Sequence, residues 1–301
     1  MRRLAVRSTT LCGLLLLSAA CGSGGDVRPA PAPPGAVTVA SFGFSESRTL
    51  AEIYAQALEA RGLTVRRAFD LASREIVEPA LEQGRVDVVP EYLGTALRFL
   101  GVEGPRTNPH RALAEELSTR GVTVLDLAPA ENKNGIVMTQ TTARRLGART
   151  ISDLVPIGRN LVFGGPPECP ERPLCLPGLT SVYGLRFKEF RPLDTGGPAT
   201  VAALEGGEVD VGLLFTTDGH LATGQFVLLT DDRGLQPAEN IVPVVRRQVV
   251  EEHGPAVVET LNRVSRELFT EDLTELNRRV DIDRAPTERV AEDWLRQHGL
   301  I

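Results

Sequence analysis

The sequence predicts an α/β protein with two lobes and a ligand cleft between them. Strands and helices alternate from residue 37 to residue 92, and the alternation restarts near residue 131. This alternation is typical of parallel strands with helices packed on the faces of a sheet. In addition, the segment L-E-Q-G-R-V-D-V at 81–88 returns as L-E-G-G-E-V-D-V at 204–211. An aromatic residue follows each copy at the same distance, Tyr92 after the first and Phe215 after the second.

The first unit reads as strand, helix, strand, helix, strand. Val37–Ser41 alternates as a short strand, and Ser45 is placed to cap a helix whose apolar residues recur at helical spacing until Gly62. The predicted elements of this unit are strand 37–41, helix 47–61, strand 63–69, helix 73–84, strand 86–89, helix 108–120 and strand 122–125.

The second unit repeats the alternation and is followed by helices that have no sheet of their own. Its predicted elements are strand 136–139, helical turns 143–146 and 151–154, strand 161–163, helix 178–183, strand 189–193, helix 200–204, and strands 209–213, 226–229 and 241–246. The final helices are predicted at 255–269, 273–280 and 286–298. The simplest arrangement returns them to the first lobe, with the chain crossing near 128–131 and again near 237–243. Lobe 1 then comprises 37–129 plus 240–301, and lobe 2 comprises 130–239.

The N-terminus has the pattern of an export signal at residues 1–20. Three arginines precede the apolar run Leu11–Leu17, and small residues then lead to Cys21. The site resembles a bacterial lipoprotein processing site, although Ser18 stands where Leu is usual. We therefore predict lipidation of Cys21, with plain secretion as the alternative. Residues 21–36 are mostly Gly, Pro, Ala and Ser and predict a flexible tether. This places the domain at the outer face of the cytoplasmic membrane, held only by the lipid.

The remaining cysteines predict a disulfide. Cys12 leaves with the signal and Cys21 takes the lipid, so Cys169 and Cys175 are left in an exported chain. Metal binding is the alternative, but two cysteines without a nearby histidine supply too few ligands.

Charge and motifs argue against several classes of function. Removal of residues 1–20 leaves 30 basic and 39 acidic side chains, a formal charge of −9. This balance argues against nucleic acid as a partner. The segment G-F-S-E-S at 43–47 lacks the final Gly of a nucleophile elbow, and the four histidines show no metal-ligand spacing. We expect no enzyme activity, no cofactor and no metal.

Several segments together resemble a known family, the substrate-binding proteins of osmoprotectant ABC importers (glycine betaine/choline/carnitine, OpuAC-like). The segments are S-F-G-F-S-E-S (41–47), I-Y-A-Q-A-L (53–58), A-L-E-Q-G-R-V-D-V-V-P-E-Y-L-G-T (80–95), A-P-A-E-N (128–132), G-L-x-S-V-Y-G-L-x-F (178–187), F-T-T-D-G (215–219) and P-A-E-N-I-V-P-V-V-R (237–246). The resemblance implies a type II periplasmic-binding fold and delivery of a small cationic or zwitterionic ligand to ABC permease subunits. It also implies a box of aromatic faces that holds a quaternary ammonium by cation–π attraction. We expect a monomer.

The resemblance carries site roles onto particular residues. Tyr92 matches a box tyrosine, with Thr95 as its hydroxyl partner. Phe215 and Thr216 stand in F-T-T-D where Y-S-T-D is usual. Asn134 and Glu239 stand where further box tyrosines are usual, so Phe42 or Phe44 is available for the missing wall. Ser47 replaces a usual Gln, Phe42 a usual Lys, and Ser45 lies in the same segment. Arg172 matches the carboxylate-binding Arg, in the loop between Cys169 and Cys175.

Each assignment has a purely structural alternative. Tyr92 and Phe215 are also explained by core packing, Thr95 by support of the Gly94 turn, Asn134 by turn chemistry, and Arg172 by surface pairing with Glu168 or Glu171. Tyr54, Tyr183 and Trp294 lie on apolar helix faces and predict core positions.

The function predicted from the sequence is therefore capture of a quaternary-ammonium osmolyte for an ABC importer. Because the aromatic box is incomplete, one alternative is the same fold binding ergothioneine or an amino-acid derivative. A second alternative is a surface lipoprotein without a role in transport.

Overall fold

The structure is a computed structural model, and it describes residues 35–71, 73–102, 107–194 and 196–301. The predicted signal peptide, Cys21 and the tether as far as residue 34 lie outside the described residues. Among the residues described, no helix combines the length and the apolar character needed to cross a membrane.

The described residues form ten strands and eleven α-helices. The strands are β1 (Val37–Ala40), β2 (Val65–Ala68), β3 (Val88–Tyr92), β4 (Val122–Val124), β5 (Asn134–Thr139), β6 (Val162–Gly165), β7 (Glu189–Pro192), β8 (Val211–Phe215), β9 (Phe226–Leu228) and β10 (Ile241–Arg246). The helices are α1 (Ser45–Glu59), α2 (Arg74–Glu82), α3 (Leu93–Phe99), α4 (Pro109–Ser118), α5 (Gln140–Leu146), α6 (Leu176–Tyr183), α7 (Pro198–Glu205), α8 (Arg247–His253), α9 (Pro255–Glu267), α10 (Thr270–Asn277) and α11 (Thr287–Gln297). Short 3-10 turns lie at Ser152–Leu154, Gly158–Asn160 and Gly219–Thr223, and a π-helical turn, Arg278–Ile282, follows α10.

The strands form two sheets within the described part of the chain. The first has the order β2-β1-β3-β10-β4, and the second has the order β7-β6-β8-β5-β9. β1 is parallel to β2 and β3, as the alternation predicts, whereas β10 is antiparallel to β3 and β4. In the second sheet β6 is parallel to β7 and β8, while β5 is antiparallel to β8 and β9. The two-lobed α/β architecture predicted from the sequence is therefore present.

Two antiparallel segments join the lobes and form the hinge. Glu131 pairs with Asn240, and Asn132 donates its backbone N–H to the carbonyl of Glu239 over 3.1 Å. Ile241 in turn donates to the carbonyl of Ala130 over 3.0 Å. The crossings predicted near 128–131 and 237–243 thus lie side by side.

The cores follow the strand alternation. In the second lobe Ile136 and Met138 pack in one cluster while Val137 packs in another, so the sheet is covered on both faces. The three aromatic side chains predicted to be core, Tyr54, Tyr183 and Trp294, are all buried, which confirms the prediction.

The structure corrects three local predictions. The repeated strands begin and end later than the β-branched runs suggest, so Tyr92 and Phe215 are the last residues of β3 and β8 rather than residues beyond them. Ser45 does not cap α1: the helix begins at Ser45, with Phe44 as the residue before it. The Gly94 turn is in fact the start of helix α3, which the sequence analysis missed together with α8.

Candidate ligand-binding cleft

The repeated Asp sets the start of the strand that carries each aromatic. The carboxylate of Asp87 accepts the backbone N–H of Thr38 in β1 over 2.8 Å, and its own N–H donates to the carbonyl of Thr38. Asp210 makes the same pair of contacts with Val162 in β6, over 3.0 Å in each direction. Each Asp therefore binds the start of its strand to a parallel neighbour. Because parallel strands end at one edge of their sheet, each aromatic is delivered to the edge where ligands bind in such folds.

Three aromatic rings cluster at this edge of the first sheet. Phe42 and Phe44 follow β1, and Tyr92 ends the neighbouring strand β3. The ring centroids of Phe42 and Phe44 lie 6.2 Å apart with parallel planes, and Tyr92 lies 6.5 Å from Phe42 and 5.8 Å from Phe44. Phe42 is buried, whereas Phe44 is 43% exposed. The cluster thus offers the face of Phe44, backed by two buried rings.

A protein cation already occupies one ring of this cluster. The guanidinium carbon of Arg74 lies 4.8 Å from the centroid of Phe42. Arg74 is held there by a bidentate pair with Glu91, over 2.7 and 2.8 Å, and Glu91 also accepts the backbone N–H of Tyr92. The Phe42 ring is therefore already in contact with a protein cation, whereas the Phe44 ring is partly exposed.

Glu46 joins the ring cluster to the hinge and to the second lobe. Its carboxylate accepts the Tyr92 hydroxyl over 2.8 Å, the Asn132 amide over 2.8 Å and the Asn277 amide over 2.7 Å. The Asn277 amide also donates to the carbonyl of Thr217, two residues past the end of β8. Burial, followed by the charge of Glu46, raises the pKa of Tyr92 well above its ordinary value. The phenol therefore stays protonated and keeps donating to the carboxylate.

The corresponding edge of the second sheet carries Phe215 and Asn134. These residues are cross-strand partners, the last residue of β8 and the first of β5, and both are half-buried. The Thr216 hydroxyl accepts the backbone N–H of Lys133 over 2.9 Å. Gly196 lies against the Phe215 ring, since a Cβ atom there would be 3.4 Å from it. The structure thus brings the two second-lobe candidates together at one edge.

Thr95 and Glu239 bind each other. The carboxylate of Glu239 accepts the backbone N–H of Thr95 over 2.9 Å, its hydroxyl over 2.8 Å, and a guanidinium N–H of Arg98 over 2.9 Å. Glu239 is buried, so this arrangement fastens the return crossing of the hinge to the start of α3.

Ser45 and Ser47 hold the segment that carries the two phenylalanines. Ser47 is fully buried, and its hydroxyl accepts the backbone N–H of Phe42 over 3.0 Å. Ser45 donates to the carboxylate of Asp281 over 2.9 Å, in the turn that follows α10. Burial raises the pKa of Asp281; the Ser45 hydrogen bond opposes this shift and the charge of Asp218 adds to it.

The loop that carries Arg172 begins at the same edge of the second sheet as Phe215, because β6 and β8 are parallel. A disulfide joins Cys169 and Cys175, whose Cα atoms are 5.3 Å apart. Arg172 itself is exposed and pairs with Glu168 over 2.8 Å. The structure thus shows the surface pairing that was the alternative explanation of this residue.

The C-terminal segment closes against the second lobe beside these contacts. A Cβ atom at Gly219 would lie 2.6 Å from the backbone of Arg278, so only glycine allows this approach. Together with the bond from Asn277 to Thr217, this contact brings the end of α10 onto the turn that follows β8.

Sequence reasoning missed Glu46, Arg74, Asn132 and Asn277 as parts of the site. Glu46 and Asn132 lie inside segments that carried the family resemblance, so their position in those motifs is the signal that could have found them. Arg74 and Asn277 give no such signal, because their partners are distant in sequence.

Comparison with known proteins identifies the family. Residues 35–297 match the model described as the substrate binding domain of the ABC-type glycine betaine transport system. The chain belongs to this family. A member of the family is the substrate-binding component of an ABC transporter and not an enzyme, and the assignment made from the sequence motifs is confirmed.

Individual relatives and structures agree with this membership. The chain is 30% identical over 272 residues to a glycine-betaine-binding protein of Pseudomonas aeruginosa, covering 86% of each chain. It is 27% identical to the glycine betaine-binding protein YehZ of Escherichia coli, covering 87% of this chain and 90% of the relative. Its fold matches a glycine betaine/carnitine/choline ABC transporter structure with a TM-score of 0.80 at 24% identity, over 88% of this chain and 99% of the other. It also matches apo YehZ with a TM-score of 0.73 at 26% identity, with the same two coverages.

Proposed function

We propose that this substrate-binding protein captures a quaternary-ammonium osmolyte of the glycine betaine, choline or carnitine type between its two lobes. It then delivers the solute to the permease subunits of an ABC importer. The observation that supports the proposal is the ring cluster of Phe42, Phe44 and Tyr92 at the carboxyl edge of the first sheet, together with Phe215 at the end of β8 in the second sheet.

The chemistry of the cluster fits such a guest. A quaternary ammonium donates no hydrogen bond, so ring faces are the groups that recognise it, with each desolvated contact contributing about 2 kcal/mol. Phe44 supplies an open ring face, and Tyr92 is fixed beside it by the bond to Glu46. We propose that Phe215 and Asn134, which pair at one edge of the second sheet, complete the site from the second lobe. The other candidates (Ser45, Ser47, Thr95, Thr216 and Glu239) act as supports, because their polar groups are engaged within the protein.

The ligands for which the relatives are named support the same class. Two of them are glycine-betaine-binding proteins, and a carnitine transport binding protein of Listeria monocytogenes is 26% identical over 88% of this chain. A second candidate is ergothioneine, whose betaine group carries the same trimethylammonium. An ergothioneine transport permease/binding protein of Helicobacter pylori is 25% identical over 88% of this chain, which spans 48% of that relative. Ergothioneine is worth testing because Asn134 and Glu239 make two positions of the expected aromatic box polar.

The family supports an extracytoplasmic setting, and the N-terminal sequence is the basis for proposing an anchor. Substrate-binding proteins of ABC importers act outside the cytoplasm. We further propose cleavage after residue 20, lipidation of Cys21, a tether over 21–36, lobes bounded at 129/130 and 239/240, and a monomer. Intact mass of membrane-extracted protein tests the anchor: a diacylated N-terminal cysteine is expected, and Cys21→Ser should release the protein. An unmodified N-terminus on secreted protein would contradict anchoring.

A binding experiment tests the ligand class. Calorimetry with glycine betaine, choline, carnitine and ergothioneine should give a signal with at least one of them. Phe44→Ala and Tyr92→Ala should each weaken that binding by about 2 kcal/mol, roughly thirtyfold, because each removes a ring face. Phe99→Ala is the matched control, since Phe99 is 40% exposed on α3 against 43% for Phe44. The proposal is wrong if the Phe44→Ala and Phe99→Ala variants bind with equal affinity. It is also wrong if none of the four solutes gives a calorimetric signal.

A further inference from the structure

The two crossings between the lobes form one narrow ribbon. Glu131 pairs with Asn240, and Ile241 donates its backbone N–H to the carbonyl of Ala130 over 3.0 Å. Two segments joined in this way bend and twist readily, because a two-stranded ribbon has no further strand to stiffen it. The ribbon by itself therefore does not fix the angle between the lobes.

Helix α10 runs alongside the first crossing and reaches the second lobe. At its start, the Thr270 hydroxyl accepts the backbone N–H of Glu131 over 3.1 Å. At its end, the Asn277 amide donates to the carbonyl of Thr217 over 2.8 Å. The helix has 8 residues and is therefore about 12 Å long. Its two ends thus contact separate points, one on the crossing and one on the turn that follows β8.

The Asn277 side chain donates to both lobes. Its amide nitrogen carries two N–H donors, and it contacts the Thr217 carbonyl and, over 2.7 Å, the carboxylate of Glu46 in α1. Asn277 is 6% exposed and Thr217 is fully buried, so bulk water does not compete for these contacts. Because a hydrogen bond to a carboxylate is stronger than a neutral one, Glu46 holds the amide in the orientation that serves Thr217.

The turn after β8 fits closely against the end of α10. A Cβ atom at Gly219 would lie 2.6 Å from the backbone N and Cα atoms of Arg278 and 3.0 Å from the carbonyl carbon of Asn277. This contact joins backbone to backbone, so no side-chain rotation would relieve an added methyl group. Asp218 accepts the backbone N–H of His220 over 2.8 Å and fixes the shape of the turn. A larger residue at Gly219 would therefore push the turn and the helix apart.

The contact between α10 and this turn is nevertheless less complete than a core contact. The Thr217 hydroxyl oxygen and the side-chain carbonyl oxygens of Asn132 and Asn277 are buried and have no hydrogen-bond partner in the described part of the chain. Buried acceptors without a partner cost free energy while the contact is packed, and they regain water when it opens. The contact can therefore part at a lower cost than a fully satisfied interface.

From these observations we propose that α10 and its contacts with Thr217 and Gly219 form a reversible brace, the α10 brace, which sets the angle between the lobes in the ligand-free protein. It thereby sets the orientation of the sheet edge that carries Tyr92 relative to the edge that carries Phe215. Asn277 is a positioning residue, which acts through the lobe angle and not through contact with a solute. The inference goes beyond the proposed function and does not depend on the identity of the solute.

Single-molecule fluorescence energy transfer on the purified protein, without added solute, tests the brace. A dye pair is attached at Arg61, which follows α1, and at Glu205, which ends α7; both are exposed. Encoded ketone-bearing amino acids carry the dyes, so the native cysteines do not react. Asn277→Leu removes the amide donors, and Gly219→Ala separates the turn from the helix by steric overlap. In each variant the fraction of molecules outside the distance range of the parent protein should rise about fivefold, the effect of losing one buried hydrogen bond.

Two matched variants that change contacts within a single lobe are the controls. Gly158→Ala places a Cβ atom 2.7 Å from a backbone carbonyl oxygen of the second lobe, and Asn262→Leu removes a hydrogen bond within the first lobe. Both should lower thermal stability without widening the distance distribution, and circular dichroism confirms that each variant is folded. An unchanged distribution in folded Asn277→Leu or Gly219→Ala protein would overturn the proposal. Equal widening in the controls would overturn it as well, because the effect would then reflect general destabilisation.

Discussion

The two copies of the repeated corner, residues 80–92 and 203–215, share a backbone and differ in what their side chains do. In both, a glycine with φ near +68° ends the helix, at Gly84 and Gly207. In both, an alanine carbonyl accepts two consecutive N–H groups, Ala80 from Arg85 and Val86, and Ala203 from Glu208 and Val209. The shared letters of the sequence are therefore those that build the corner.

The residues that differ make the first corner charged and the second corner apolar. Glu78, just before the first copy, and Glu91 within it are buried beside Arg74, and the strand ends in a tyrosine bonded to Glu46. The equivalent positions in the second copy are Val201 and Leu214, and its strand ends in a phenylalanine. The same backbone hydrogen bonds thus place an aromatic residue at the edge of each sheet, while the buried charged side chains accompany the first copy.

The largest expected difference between the corners concerns the shared Asp. Asp87 is buried and pairs with Arg246 over 2.7 Å, whereas Asp210 is 30% exposed and its nearest guanidinium, on Arg145, lies at 3.8 Å. Asp87→Ala should lower the free energy of unfolding by about 3 kcal/mol, because it leaves a partly buried Arg unpaired. Asp210→Ala should lower it by about 1 kcal/mol. Urea unfolding followed by circular dichroism measures both, and equal losses would show that the Arg246 pair adds nothing.

A smaller, pH-dependent difference should come from Glu78. Burial, and then the charge and hydrogen bond of Glu91, raise the pKa of Glu78 from 4.5 to about 8. Between these values the folded protein holds a proton that the unfolded chain has lost. Stability should therefore fall as pH rises from about 4.5 to about 8, by at most about 1.4 kcal/mol per pH unit, and level off above.

Glu78→Gln isolates this effect, since glutamine keeps the shape and does not ionise. The slope of unfolding free energy against pH should become shallower over that range. Val201→Thr, at the equivalent place in the second corner, is the control and should leave the slope as it is in the parent protein. An unchanged slope in Glu78→Gln would mean that another group carries the proton.

The smallest and most nearly equal effects are expected at the two glycines. Alanine at Gly84 or Gly207 would adopt a left-handed backbone conformation, which costs about 1 kcal/mol. The added Cβ has room in both places: its nearest neighbour is 3.5 Å away at Gly84, and nothing lies within 4 Å at Gly207. Thermal unfolding should show matching losses for the two variants. A clearly larger loss at one position would mean that the corners are less alike than their hydrogen bonds indicate.

Much of the fold was predictable because it depends on local patterns. Three sequence features predicted both sheets and the two crossings between the lobes. They are the alternation of strands and helices, the glycines that end helices, and the repeated segment. Helix α3 was missed because Gly94 at its second position is typical of a turn, and here the buried acid Glu239 stabilises the start of the helix instead.

The site was predictable only where a residue lies in a motif. Phe42, Phe44 and Tyr92 were candidates from their segments, but the role of Glu46 depends on partners 46, 86 and 231 residues away. No local sequence pattern predicts that Glu46 and these three partners come into contact. Arg172 shows the converse: its motif suggests a ligand contact, while its surroundings provide an acidic neighbour four residues earlier.

The position of β10 between β3 and β4 has a consequence for the order in which the molecule is completed. All five strands of the second sheet come from one continuous stretch, 134–228, so that sheet can assemble as soon as this stretch is available. The first sheet stays divided until residues 241–246 arrive and join β3 to β4. A chain synthesised from its N-terminus would therefore complete the second lobe before the first, although the first lobe contains the segments made earliest. A stop codon before residue 241 is expected to leave a complete second sheet and a first sheet in which β4 is not joined to β3.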